Sequence, residues 1–131
     1  MKILIPLLTL ACLLLACSES NSVITRQEID REDLALMRQE ILALIADLSC
    51  SESSECAQIG FGSKPCGGPW EYLVYAAPNV NETLLQEKVA AYGAAEGGYN
   101  RENGIISDCA LAPRADPTCV DQACVDLRGN P

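Results

Sequence analysis

The sequence predicts an α+β fold: a small antiparallel sheet of about four strands with two helices packed on it, stapled by three disulfides. Three observations predict it. Two stretches carry apolar residues at helical spacing. Short runs of β-forming residues, bounded by Gly and Pro, lie between and after them. Six cysteines fall between Cys50 and Cys124 in a chain whose start reads as an export signal, and an even cysteine count in an exported domain reads as disulfides.

The chain has 131 residues. Residues 1–16 are the leader. Lys2 precedes a run from Ile3 to Leu15 without a charge, too short to span a bilayer, which takes about 20 residues. A positive start, a short apolar centre and a small residue at the end describe a secretory signal. Leu14-Leu15-Ala16-Cys17 resembles the lipobox of bacterial lipoproteins. That resemblance implies cleavage before Cys17 and acylation of Cys17 by chains such as palmitate. The expected location is then the bacterial outer membrane, lipid-anchored, on its periplasmic face. Two or three acyl chains suffice to anchor without a spanning helix. Residues 17–29 read as the lipidated cysteine and a polar tether, and 30–131 as one disulfide-bonded domain.

From Asp30 the pattern turns helical. Leu34, Met37, Ile41, Leu44, Ile45 and Leu48 recur at helix spacing, Asp30 is a fair N-cap, and Asp33 suits the first turn. The helix is expected to end near Ser49, where the polar run Ser49–Glu55 begins. Cys56–Phe61 reads as a strand. Gly62–Pro69 holds three Gly and two Pro and reads as a constrained loop. Trp70–Ala76 reads as the second strand. Asn81 caps a second helix with a stripe of Leu84, Leu85, Val89, Tyr92, Ala95 and Tyr99, and Asn103-Gly104 stops it. Ile105–Leu111 is the expected third strand, followed by a loop between Pro113 and Pro117. Cys119–Cys124 closes the chain as a hairpin around Asp121-Gln122, with the two cysteines facing each other.

Spacing alone does not choose the cysteine pairing. The expected set is Cys50–Cys56, Cys66–Cys109 and Cys119–Cys124. Metal binding is not expected, since no Cys-x₂-Cys knuckle is present and an exported chain meets an oxidising compartment.

The run Ile59-Gly-Phe-Gly-Ser-Lys-Pro-Cys-Gly-Gly-Pro-Trp70, with Cys50, Cys56, Ser107-Asp-Cys109, Cys119 and Cys124, resembles a family of small cysteine-containing lipoproteins and secreted proteins of Gram-negative bacteria. The likeness covers about residues 48–127. It implies export and a bridged domain. No activity is assigned to that family, so it implies no catalytic residue.

Composition excludes several functions. The chain has no histidine, hence no Ser-His or Cys-His nucleophile and no His-bearing zinc site. Its net charge of −9 argues against nucleic acid, which needs clustered Lys and Arg. Removing the leader takes Lys2 away and makes the remainder more acidic still. The only acid–base pair could come from Glu71, Glu82, Glu96 and Asp108, and no spacing singles out two of them. Asp47, Ser49, Ser51, Ser53 and Glu55 alternate oxygen-bearing side chains but lack the glycine and second acid of a calcium loop. Asn81-Glu82-Thr83 is a sequon by pattern and a helix cap by position. The most unusual segment, Ser63–Trp70, could present Lys64 and Trp70 from a bridged turn. The expectation is therefore a non-enzymatic, lipid-anchored binding domain with an envelope protein partner and no cofactor. The alternative is a protease inhibitor or small-ligand binder using the Lys64–Trp70 loop.

Overall fold

The computed structural model describes residues 29–129. The expected leader, Cys17 and nearly all of the expected tether lie outside the described residues. Among the described residues, two α-helices and four strands form an α+β domain. The four strands make two separate antiparallel hairpins rather than one sheet.

Helix α1 spans Arg31–Leu44. Asp30 Oδ1 accepts from the amides of Glu32 and Asp33 at 2.8 and 2.9 Å, and Asp33 returns the bond to the Asp30 amide at 3.2 Å. This capping box satisfies amides that the first turn leaves free. The helix ends at Leu44, short of the expected Ser49. Asp47 turns back to bond the Ser49 amide and hydroxyl at 3.1 and 2.6 Å, a local competitor of helix. Beyond it the backbone pairs sideways: Leu48 O accepts from the Cys124 amide and the Cys50 amide donates to Gln122 O. A tertiary pairing thus overrides the helical period of Ile45 and Leu48.

Strands β1 (Cys56–Phe61) and β2 (Glu71–Ala76) pair from Cys56↔Ala76 to Phe61↔Glu71. The loop between them closes through Trp70 N–H to Phe61 O at 2.9 Å. Helix α2 spans Glu82–Glu102, with Asn81 Oδ1 accepting from the Leu84 amide. It stops at Asn103-Gly104, where Gly104 has φ +60° and the Ile105 amide reaches Asn100 O at 2.9 Å, a Schellman ending. Strands β3 (Pro117–Val120) and β4 (Ala123–Asp126) form the last hairpin. Asp121 and Gln122 take φ of 50° and 64°, as a two-residue type I′ turn requires.

The main core joins Leu34 and Ile41 of α1 and its C-cap Ile45 to Phe61, Leu73 and Tyr75 of the first hairpin and Leu85 and Tyr92 of α2. Of the other expected stripe residues, Met37, Leu44, Val89, Ala95 and Tyr99 pack partly buried against this core, whereas Leu84 is 36% exposed and Leu48 packs beside Cys50, Ala76 and Cys124. Phe61 stacks on Tyr92 with ring centroids 4.3 Å apart. A second, smaller core gathers Cys50, Ala76 and Cys124.

The bridges are Cys50–Cys119, Cys56–Cys124 and Cys66–Cys109. The last is as expected; Cys50–Cys56 and Cys119–Cys124 are not formed. Cys119 and Cys124 do stand opposite each other in the hairpin. Their amides point away from each other, to Ser53 Oγ and Leu48 O. The hairpin packs against the first one and the Leu48–Cys50 segment, so each of its sulfurs meets a cysteine arriving from another element. The resulting bridges tie residues 69 and 68 positions apart.

Ile105–Leu111 is not a strand. From Ile105 to Asp116 the chain runs without helix, strand, turn or bend. Side chains of other segments hold it, so no backbone ladder forms. Among the described residues, no helix is long and apolar enough to cross a membrane.

Candidate functional site

The extended run 105–116 is a strap, and the loop Gly62–Trp70 is its base. The base is built for close approach. Gly62 has φ +86°, and a Cβ there would stand 2.6 Å from Trp70 Cδ1. Helix α2 grips the next residue by both backbone groups: Glu96 Oε2 accepts from the Ser63 amide at 2.5 Å, and Asn100 Nδ2 donates to Ser63 O at 2.9 Å. Gly97 lets that contact form, since a Cβ would meet Ser63 Oγ at 3.3 Å. This gives Gly97 a packing reason to stand in a helix despite a cost of about 1 kcal/mol relative to alanine.

Lys64 then turns inward. Its side chain is 9% exposed. Its ammonium bonds Asp108 Oδ1 and Ala110 O, each at 2.8 Å, and lies 5.3 Å from the Trp70 ring centroid. Lys64 and Trp70 are thus brought together as one unit, in which Trp70 is 38% exposed and Lys64 is spent internally. Lys64 is not displayed to a partner. The Lys64 ammonium holds the Asp108 carboxyl below the usual carboxylate range, first by hydrogen bonding and then by charge.

Three ties fix the strap. Cys109 is bridged to Cys66, beside the Lys64 bonds. Arg114 lies 5.6 Å from the Tyr72 ring centroid. Gln58 acts as a backbone mimic for Ala115: its Nε2 donates to Ala115 O at 3.1 Å, and its Oε1 accepts from the Ala115 amide at 3.0 Å. Ala115 is buried, at 6% exposure. Between these ties, Leu111, Ala112 and Pro113 make no hydrogen bond among the described residues. Ile106 and Leu111 are 88% and 92% exposed. The strap therefore displays two large apolar side chains on a backbone pinned at both flanks.

The other candidate residues are taken up structurally. Glu71 pairs with Arg38 at 2.7 Å, Glu82 accepts from Tyr75 OH at 2.9 Å, and Glu96 also accepts from Tyr92 OH. Each carboxylate thus has a different partner. Ser53 Oγ accepts from the Cys119 amide, and Glu55 Oε2 accepts from the Ser51 and Glu52 amides. Of the alternating oxygens of 47–55, Asp47, Ser53 and Glu55 therefore bond backbone amides, and the Ser49 hydroxyl bonds Asp47 and Asn79. Asn81 is a cap. The Sγ atoms of Cys50, Cys56 and Cys124 lie within 4.8 Å of one another, all in disulfides. Cys17 lies outside the described residues.

Sequence reasoning missed Ile106, Leu111, Gln58 and Asn100. The strap gave no local signal: its apolar start reads as a strand, and the groups that hold it come from other segments. Asn100 gave no signal, because its acceptor belongs to a loop 37 residues away.

No known protein family, no curated protein and no solved structure matches this chain.

Proposed function

We propose that this chain is a lipid-anchored protein of the bacterial envelope whose folded part is a non-enzymatic binding domain. Cys17 carries the anchor, residues 17–29 the tether, and the strap face is the docking surface for an envelope protein. The observation that carries this reading is the display of Ile106 and Leu111 on the pinned strap, with Trp70 half-exposed at its base. Scattered single apolar side chains on a surface are ordinary. Two on one bridged, extended segment are pre-organised, which lowers the ordering cost of binding. A protruding apolar anchor that fills a pocket is the usual centre of a binding interface.

The lipobox and the export-type cysteines support the location. The lack of histidine and the separate engagement of Glu71, Glu82, Glu96 and Asp108 support a role without catalysis.

Two measurements test the reading. Palmitate labelling should be incorporated and should vanish in Cys17→Ala. A photo-crosslinker at position 106 in intact cells should give one discrete adduct. Unlabelled native domain should compete that adduct away, and Ile106→Ser/Leu111→Ser domain should not. Absence of label overturns the anchor. An adduct that both competitors leave unchanged overturns the docking face.

A further inference from the structure

We propose that the partner is a serine protease with an apolar primary specificity pocket, and that the strap occupies its cleft as an inhibitor with Leu111 in that pocket. This rests on the docking reading above and names its partner.

Such enzymes take their substrates as extended chains paired to an enzyme strand, with side chains entering pockets in alternation. The strap offers that form. It has no turn or bend from Ile105 to Asp116. Ala112 precedes Pro113 and is confined to extended conformations by it. Leu111 is the most exposed of the large apolar side chains described, and its neighbours Ala110 and Ala112 are too small to screen it. The Leu111–Ala112 peptide has no internal partner, so an enzyme can bind it without breaking a bond of the fold. Lys64, the side chain a trypsin-like pocket would take, is turned inward. The specificity therefore moves from basic to apolar.

The ties around the strap separate an inhibitor from a substrate. Attack of the enzyme's serine hydroxyl on the Leu111 carbonyl breaks the Leu111–Ala112 bond. The hydroxyl proton passes to the Ala112 nitrogen, and Leu111 is left as an acyl ester. In a free peptide the amine then diffuses away. Here Ala115, three residues on, is held by both bonds to Gln58, and Arg114 by Tyr72. On the acyl side, Cys109 is bridged to Cys66 and Ala110 O is bonded to Lys64. The amine stays beside the ester at high effective concentration, so it re-attacks, restores the peptide and returns the proton to the serine oxygen. Pro113 has no N–H to give on the leaving side, so the complex forgoes one hydrogen bond and keeps the fixed extended backbone instead.

The test uses the folded, fully bridged domain against chymotrypsin, subtilisin, pancreatic elastase and trypsin. The native domain is expected to inhibit chymotrypsin or subtilisin stoichiometrically and to be recovered intact after hours. Leu111→Arg should lose about 100-fold or more against that enzyme and gain trypsin inhibition. Near-UV circular dichroism of the variant controls for folding. Inhibition of none of the four, steady turnover at Leu111–Ala112, or a Leu111→Arg variant that transfers no inhibition to trypsin overturns the proposal. A competed crosslink at position 106 to a protein that is not a protease leaves the docking face standing and ends the inhibitor reading. Loss of that crosslink ends the docking reading itself.

Discussion

Lys64 Nζ and Asp108 Oδ1 lie 2.8 Å apart across 44 residues of sequence, and the same ammonium bonds Ala110 O. One cation thus fastens the strap on both sides of Cys109. The Asp108 carboxyl is held below its ordinary value, so folding favours its charged form. That stabilisation is present above about pH 4 and is lost as pH falls through the lower folded value. Acid should therefore loosen the strap before it unfolds the core. Trp70 fluorescence, which senses the ammonium over its ring, should change below pH 4 in the native protein and stay flat in Lys64→Met. A tryptophan signal equally pH-sensitive in both would refute the clasp.

The bridge pairing predicts a specific peptide map. Beyond Cys17, trypsin cuts after Arg26, Arg31, Arg38, Lys88, Arg101, Arg114 and Arg128 but not at Lys64-Pro65. Without reductant, fragment 115–128 should remain joined to fragment 39–88 through Cys50–Cys119 and Cys56–Cys124. Release of 115–128 as a free, internally bridged peptide would mean the local pairing instead. Energetics favour the long bridges as staples. Loops of this length remove about 4 kcal/mol of unfolded-chain entropy each, against about 2 for a seven-residue loop. The Cys50→Ala/Cys119→Ala variant should accordingly lose about 2–5 kcal/mol in urea unfolding.

What the sequence showed and what it hid divide by range. Asp30 and Asn81 as caps, Asn103-Gly104 as a stop and Asp121-Gln122 as a turn rest on chemistry within four residues. The strands Cys56–Phe61 and Glu71–Ala76 rest on period and β-forming residues in between turn signals. Each was legible. The early end of α1 was not, because it follows from Leu48 O meeting a strand that arrives only at Cys124. Nor was the choice of partner for Cys119 and Cys124, which needs the docking of one hairpin on another. The strap hid for the same reason: Ile105-Ile106 looks like the start of a strand, and only Gln58, Lys64 and Tyr72, brought in from elsewhere, hold the segment out as a single extended chain. The candidate site thus had Lys64 and Trp70 visible in advance, with the direction of Lys64 and the weight of Leu111 visible only in three dimensions.

Tyr75 and Tyr92 have their hydroxyls pushed up to about 12, first by burial and then by Glu82 and Glu96 respectively. A raised acid favours folding in its protonated form, so this stabilisation is complete below pH 10 and disappears as pH rises through 12. Tyrosinate absorbance from these two side chains should develop only near pH 12, together with loss of near-UV dichroism. Tyr75→Phe and Tyr92→Phe should each reduce that late step. All four tyrosines ionising in one step near pH 10, with the fold intact, would contradict the packing of Phe61 on Tyr92.

Gln58 supplies the last test, because it anchors the far end of the strap from inside β1. Its amide makes both bonds to Ala115, so Gln58→Ala leaves a buried donor and a buried acceptor without partners. The expected cost is about 1–3 kcal/mol, and it should be accompanied by faster tryptic cleavage after Arg114, where the backbone is no longer held. Lys64→Met loosens the opposite end. The two ends share no partner, so their effects on stability should add, while cleavage after Arg114 should respond to Gln58→Ala far more than to Lys64→Met. Equal acceleration by both variants would mean that the strap opens as one piece rather than from its two separate ties.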